Sequence, residues 1–134
     1  MACLCWHGYT NSGDGDVNSN HSTNTADIWI VKTDTSGNII WKYNYGGTGS
    51  DVAYSIALTS DNGFIVGGKS SSADGDVTEN NGEADFWIIK LNSNGVMQWQ
   101  KSFGGSDADE CYTIIQTAEG GYICLLYTSP SPRD

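Results

Sequence analysis

The stretch Asp27–Ile65, DIWIVKTDTSGNIIWKYNYGGTGSDVAYSIALTSDNGFI, recurs 58 positions later as Asp85–Ile123, DFWIIKLNSNGVMQWQKSFGGSDADECYTIIQTAEGGYI, and the two align without a gap. Asp27 falls on Asp85, Trp29 on Trp87, Lys32 on Lys90, Gly37 on Gly95 and Trp41 on Trp99. Gly46-Gly47 falls on Gly104-Gly105, Asp51 on Asp109, Tyr54 on Tyr112, Ile56 on Ile114 and Gly63 on Gly121. Glycines and tryptophans held in phase over such a length mark a structural repeat, a unit that buries its apolar faces against copies of itself.

Each unit reads as four strands. Ile28 to Thr33 is apolar on both parities, as in a strand covered on two faces. Asp34-Thr35-Ser36-Gly37 is a turn. From there Ile39, Trp41, Tyr43 and Tyr45 alternate with Lys42 and Asn44, and Met97, Trp99 and Phe103 alternate with Gln98, Gln100 and Ser102. That is period two, the period of a strand. After the break at Gly46 to Asp51, Val52, Tyr54, Ile56 and Leu58 put bulk on one face. Ala53, Ser55 and Ala57 on the other would let a neighbouring sheet come close. Ser60-Asp61-Asn62-Gly63 is a second hairpin turn, and Phe64-Ile65-Val66 a short buried strand ending at Gly67-Gly68. No segment shows helical spacing, so no helix is predicted.

The fold class expected is therefore all-β: tandem four-stranded antiparallel blades, a fragment of a β-propeller. A right-handed β-solenoid is the second choice. Two units make no ring, because propellers take about four to eight blades.

Upstream, Gly8 to Ala26 is polar and matches Gly68 to Ala84, with Asp14-Gly15-Asp16-Val17 on Asp74-Gly75-Asp76-Val77. The domain reading follows: 1–7 is a remnant strand of a preceding repeat, 8–68 the first blade, 69–123 a truncated second blade. Residues 124–134, Cys124 to Asp134, depart from the repeat.

The formal charge of −10, from sixteen acidic and six basic groups, argues against nucleic acid, whose phosphates need a basic patch. It gives no pull toward anionic lipid, and no apolar run is long enough for a transmembrane helix, so membrane insertion is not expected. The four cysteines form no disulfide framework: Cys3 and Cys5 are too close, and Cys111 stands where the first unit has Ala53. Zinc would need well-spaced ligand pairs that His7 and His21 do not complete.

Asp34-Thr35-Ser36-Gly37-Asn38-Ile39-Ile40-Trp41 resembles the Asp-x-x-Gly-x-x-x-Trp hairpin of quinoprotein-type propeller blades, in which the tryptophan docks between adjacent blades. Asn92 to Trp99 repeats it with Asn in place of Asp. The whole unit is also similar to repeats of large secreted or cell-surface proteins of Bacteroidetes that end in a type IX secretion sorting domain. Gly-Asp-Val at 15–17 and 75–77, Asp27–Lys32, Asp85–Lys90 and the Gly-Gly pairs carry that likeness. It implies export and surface display, hence an extracellular or cell-surface location. Residues 124–134 resemble a translated sequencing adapter, which marks the chain as a metagenomic-style fragment with a non-native tail.

Oxygen-bearing residues at alternate positions, Asp14, Asp16 and Asn18 in one loop and Asp74, Asp76 and Thr78 in the other, have the spacing with which loops wrap calcium. Asx-rich turns bonding their own backbone give the same composition, and the EF-hand glycine and closing glutamate are missing. No catalytic residues are expected. The sole arginine, Arg133, lies in the tail, which leaves a sialidase without its carboxylate clamp. Asp51, Asp109 and Glu110 are the carboxylates a glycosidase could pair, but Asp51 and Asp109 are repeat equivalents and suit a turn role in each unit. The recurring tryptophans would stack on sugars, or pack within each unit. The expectation is a non-catalytic scaffold for binding or display. Its partners are further blades of the same parent and a glycan or protein ligand, with no cofactor unless calcium. The alternative is a fragment of a glycan-binding or glycan-processing surface enzyme whose active residues lie elsewhere.

Overall fold

A computed structural model describes residues 2–10, 25–78, 84–104 and 109–128. Among them are nine strands and no helix: β1 (Ala2–Thr10), β2 (Asp27–Thr33), β3 (Ile39–Tyr45), β4 (Asp51–Leu58), β5 (Phe64–Ser70), β6 (Asp85–Leu91), β7 (Met97–Phe103), β8 (Asp109–Gln116) and β9 (Tyr122–Thr128). They form three antiparallel sheets in the orders β1-β2-β3, β4-β5-β6-β7 and β8-β9. The all-β expectation holds at that level.

The cut between sheets differs from the one expected. Residues 8–68 do not make one sheet: β2 and β3 belong to the first, β4 and β5 to the second. The four-stranded sheet takes β4 and β5 from one repeat and β6 and β7 from the next. A five-residue stretch, 46–50, carries the chain from sheet to sheet, while the longer 71–84 connection stays within one sheet.

Two strand limits also move. β5 runs through Gly67-Gly68 to Ser70, because β4 bulges there between Ala53 and Ser55. A Cβ on Gly68 would strike the Val52 carbonyl, so only glycine lets the bulged strand approach. The same bulge breaks the expected alternation of β4. Ala53 and Ile56 pack toward the first sheet, whereas Ala57 packs toward the third and Ser55 Oγ accepts from the Ile114 N–H at 3.3 Å. In addition, 124–128 belong to β9, and 129–134 lie outside the described residues. Leu125 pairs with Thr113 and Cys124 with Ile114, as a β-prone apolar run beside a strand will.

The sheets stack through apolar seams that repeat the sequence period. In the first seam Ile28, Ile30 and Tyr45 meet Phe64, Val66, Trp87, Ile89 and Leu91 of the four-stranded sheet. In the second, Phe86 and Ile88 meet Ile114, Tyr122 and Cys124. Burying such side chains contributes about 1.5–3 kcal/mol each. The faces are mutually dependent, since no single sheet covers itself.

Candidate functional site

The side chains singled out by the sequence gather in three places. The first is the inter-sheet crossing. Gly46 accepts the Asp76 N–H on its carbonyl at 2.8 Å, and Asp76 Oδ2 accepts the Gly46 N–H at 3.0 Å. Asp74 accepts from the Thr48 N–H at 2.7 Å and the Thr48 hydroxyl at 2.8 Å. Val77 is 1% exposed and plugs the first seam. Gly75, at φ +64, lies against the Gly46 carbonyl, where a Cβ would not fit. The Asp-Gly-Asp-Val motif is thus a staple that folds the long loop onto the short crossing. Thr78 accepts a bond on its hydroxyl from Gln100 Nε2 at 2.6 Å, and Gln100 Oε1 accepts from the Trp87 indole at 2.7 Å. Asp74, Asp76 and Thr78 therefore sit together, each engaged with protein donors. Asp14, Asp16 and Asn18 lie outside the described residues. Among the described residues no three His, Cys, Asp or Glu side chains cluster as a metal would need.

Beneath the staple, Asp51 is fully buried. Its carboxylate accepts from the Gly47 N–H at 3.0 Å and the Ser72 hydroxyl at 2.8 Å, and also from the Ser70 hydroxyl. Burial pushes its carboxyl above the usual range, the bonds to Ser70, Gly47 and Ser72 oppose this, and the neighbouring Asp27 adds to the rise. A carboxylate with no exposure cannot reach a glycosidic bond, and its bonds are those of a turn anchor. The side chains of Asp109 and Glu110 lie outside the described residues.

The tryptophan hairpins form the second place. Trp41 Nε1 donates across the seam to the Ser93 carbonyl at 3.2 Å, and its ring lies over Gly95, 2.8 Å from where a Cβ would stand. Tyr45 donates its hydroxyl to the Gly95 carbonyl, and burial, chiefly, pushes that phenol well above its ordinary value. Trp41 meets Phe64 edge-on with centroids 5.8 Å apart, and Trp99 meets Tyr122 in the same way at 5.8 Å. Phe64 and Tyr122 are themselves 58 residues apart, as are Tyr54 and Tyr112, which pack on each other at 5.6 Å.

The third place is a pair of grooves. One, of about 560 Å³, is bordered by Lys32, Ile56, Leu58, Asn62, Phe64 and Ser93. The other, of about 600 Å³, is walled by Phe86, Ile88, Trp99, Phe103 and Tyr122, with Lys101 at its margin. Aromatic walls with one cation suit a flat apolar or sugar face better than a reacting group.

One feature of the fold was not anticipated. Lys90, 4% exposed, sends its ammonium to Asp61 Oδ2 at 3.0 Å, to Gln98 Oε1 at 3.0 Å and to the Leu91 carbonyl at 2.9 Å. Bonds from Thr59, Lys90 and Gly63, in that order, hold the Asp61 carboxyl far below its usual range. The signal available was a lysine recurring at the end of an apolar strand, Lys32 and Lys90. Comparison of the chain with family models and with curated proteins finds no match.

Proposed function

We propose that this chain is a stretch of a non-catalytic β-propeller repeat scaffold, exported to the cell surface or beyond, that presents its seams and loops to a glycan or protein ligand. The observation that carries the reading is the recurrence of one docking arrangement. Trp41 closes on Phe64 and on the turn of the next sheet, and Trp99 closes on Tyr122 one period later. Among the described residues Trp41, Trp99, Asp51, Asp74 and Asp76 are engaged at the joints and crossings between strands and sheets. A unit built this way extends by addition, the property that makes repeat arrays broad binding surfaces. The resemblance to secreted repeats and the strongly acidic surface support the exported location.

The test is a panel of glycans and surface-protein extracts read by tryptophan emission, with product analysis of each glycan. Saturable quenching without turnover is the expected result. Release of new reducing ends by the purified chain overturns the non-catalytic reading. Antibody that labels source cells only after lysis overturns the location.

A further inference from the structure

The 46–50 crossing lies over two buried carboxyls, and we infer that Asp51 keeps a proton against Asp27 there. The joint between the sheets is then a pH-responsive hinge, closed while the proton is held and loosened once it is lost. The inference rests on the geometry of the crossing and stands whatever the scaffold binds.

Neither Asp27 nor Asp51 has any exposure. Asp51 Oδ2 and Asp27 Oδ1 lie 2.5 and 3.1 Å from the one point where a Gly46 Cβ would stand, so the two carboxyls occupy a single space under the crossing. Two carboxyls that share a site cannot both ionise at the usual cost, and removal from water raises that cost further. Burial, with a smaller push from Asp27, raises the Asp51 carboxyl, and the bonds from Ser70, Gly47 and Ser72 oppose the rise.

Among the described residues, the titratable groups that the packed elements bring to the crossing are Asp74 and Asp76 of the 71–84 connection and Tyr45 at the end of β3. β5 turns Ser70 toward Asp51, while Lys69, opposite Val52, leaves the other face of the sheet.

Three successive amides of the crossing donate to three different aspartates: Gly46 to Asp76 and Gly47 to Asp51, each at 3.0 Å, and Thr48 to Asp74 at 2.7 Å. Gly46 and Gly47 are buried whereas Thr48 and Ser50 are exposed, so this stretch is the layer between the pair and water. When the Asp51 proton leaves, the two charges repel, and the nearest hydration lies through that layer. The contacts that must yield are the Gly47 bond to Asp51 and the bond from the Asp51 N–H to the Ala26 carbonyl, 2.6 Å long. A carboxyl held above its ordinary value contributes stability that is complete below 3.8 and is lost as the pH rises through the raised value. Acid therefore tightens the joint and rising pH frees it. The second crossing repeats the frame: Gly104 has the φ of Gly46, +155, and Asp85, the equivalent of Asp27, has no exposure.

The test is carbonyl-detected NMR of the full chain with isotope-labelled aspartate carboxyls, read beside amide hydrogen exchange over a pH series. The Asp51 carboxyl should titrate above the ordinary aspartate range. Across the same range the protection of the Gly47 and Asp51 amides, corrected for intrinsic exchange, should fall roughly tenfold for each pH unit between the ordinary and the raised value. Amides in the middle of β6 should keep theirs. Asp27→Asn should bring the Asp51 midpoint down, and Ser72→Ala, which removes a donor to the carboxylate, should move it further up. Should Asp27→Asn fail to fold, the wild-type titration and Ser72→Ala decide the matter by themselves. An Asp51 carboxyl that titrates at or below the ordinary range refutes the held proton, as does a midpoint that a folded Asp27→Asn or Ser72→Ala leaves in place. Protection at Gly47 and Asp51 that does not follow the Asp51 titration refutes the hinge.

Discussion

Trp41 and Trp99 are the same residue of the repeat in two circumstances, and truncating each measures what a neighbouring sheet contributes. Trp41→Ala removes a partly buried ring seated on Gly95, an edge contact with Phe64 at 5.8 Å and an indole bond to the Ser93 carbonyl at 3.2 Å. Truncating a core tryptophan costs about 3–5 kcal/mol, and partial burial puts Trp41 near the lower end, about 3 kcal/mol. Roughly 1 kcal/mol of that is the hydrogen bond. Trp99, 38% exposed, has its contact with Tyr122 at 5.8 Å, and an aromatic pair is worth about 0.5–1.5 kcal/mol, so Trp99→Ala should cost about 1 kcal/mol. Urea unfolding followed by far-ultraviolet circular dichroism, at protein concentrations low enough to keep the chain monomeric, reads the difference. With a slope of about 1–3 kcal/mol per molar urea, the Trp41→Ala midpoint should fall by about 1–3 M and the Trp99→Ala midpoint by a third of that. Equal shifts would mean that Trp41 gains nothing from the next sheet, and the stacking account would fail with it.

Other perturbations probe the same joints. Gly95→Ala meets both a strained φ of +80 and the Trp41 ring, whereas Gly37→Ala meets only the strain; the first should destabilise by about 1–2 kcal/mol more in urea, and parity would show that the ring does not rest there. The raised Asp51 carboxyl means that the folded state holds its proton more tightly than the unfolded chain. The stability this confers is present at low pH and is lost as the pH rises from the ordinary value of 3.8 through the raised one. Asp51→Asn should flatten that part of the profile of melting temperature against pH, and an unchanged slope would assign the effect elsewhere. Asp74 and Asp76 accept from Thr48 and Gly46, so millimolar calcium should leave the melting temperature where it is; a rise that saturates with calcium would show that the loop opens to bind it.

Local chemistry made most of the strands legible. Period-two alternation marks β3 and β7, and the turns at Gly37 and Gly95 carry the positive φ that their glycines announce, whereas in the Ser60–Gly63 turn it falls on Asn62. The docking hairpin was readable from Asp34 and Trp41 because its parts are close in sequence: Asp34 Oδ1 accepts from the Ser36 and Asn38 N–H groups at 2.8 and 2.9 Å. The staple was half legible. Asp-Gly-Asp-Val stood out by recurrence, but alternating oxygens say only that donors will be met. That those donors are the Gly46 and Thr48 amides depends on a crossing some 26 to 30 residues away in the chain. The Lys90–Asp61 pair escaped for the same reason, since its partners are 29 residues apart and neither position looks unusual alone.

The sheet boundary is a different kind of omission. A tandem repeat gives the period of a structure and leaves its phase open: four strands per 58 residues can be grouped from any starting strand. Connection length is the usual guide, short links for hairpins and long ones for crossings, and here it points the wrong way. The 46–50 stretch is brief yet leaves the sheet, because Gly46 at φ +155 turns the chain against Asp51 and Asp27, where no side chain fits. The Asp51 N–H then donates to the Ala26 carbonyl of the preceding segment, which ties the new sheet's first strand to the old sheet's base. The 71–84 connection is long yet stays home, because its first half is spent stapling that crossing. Phase is thus set by two buried aspartates and a glycine with no room for a Cβ. A sequence displays them as three polar or small residues among many.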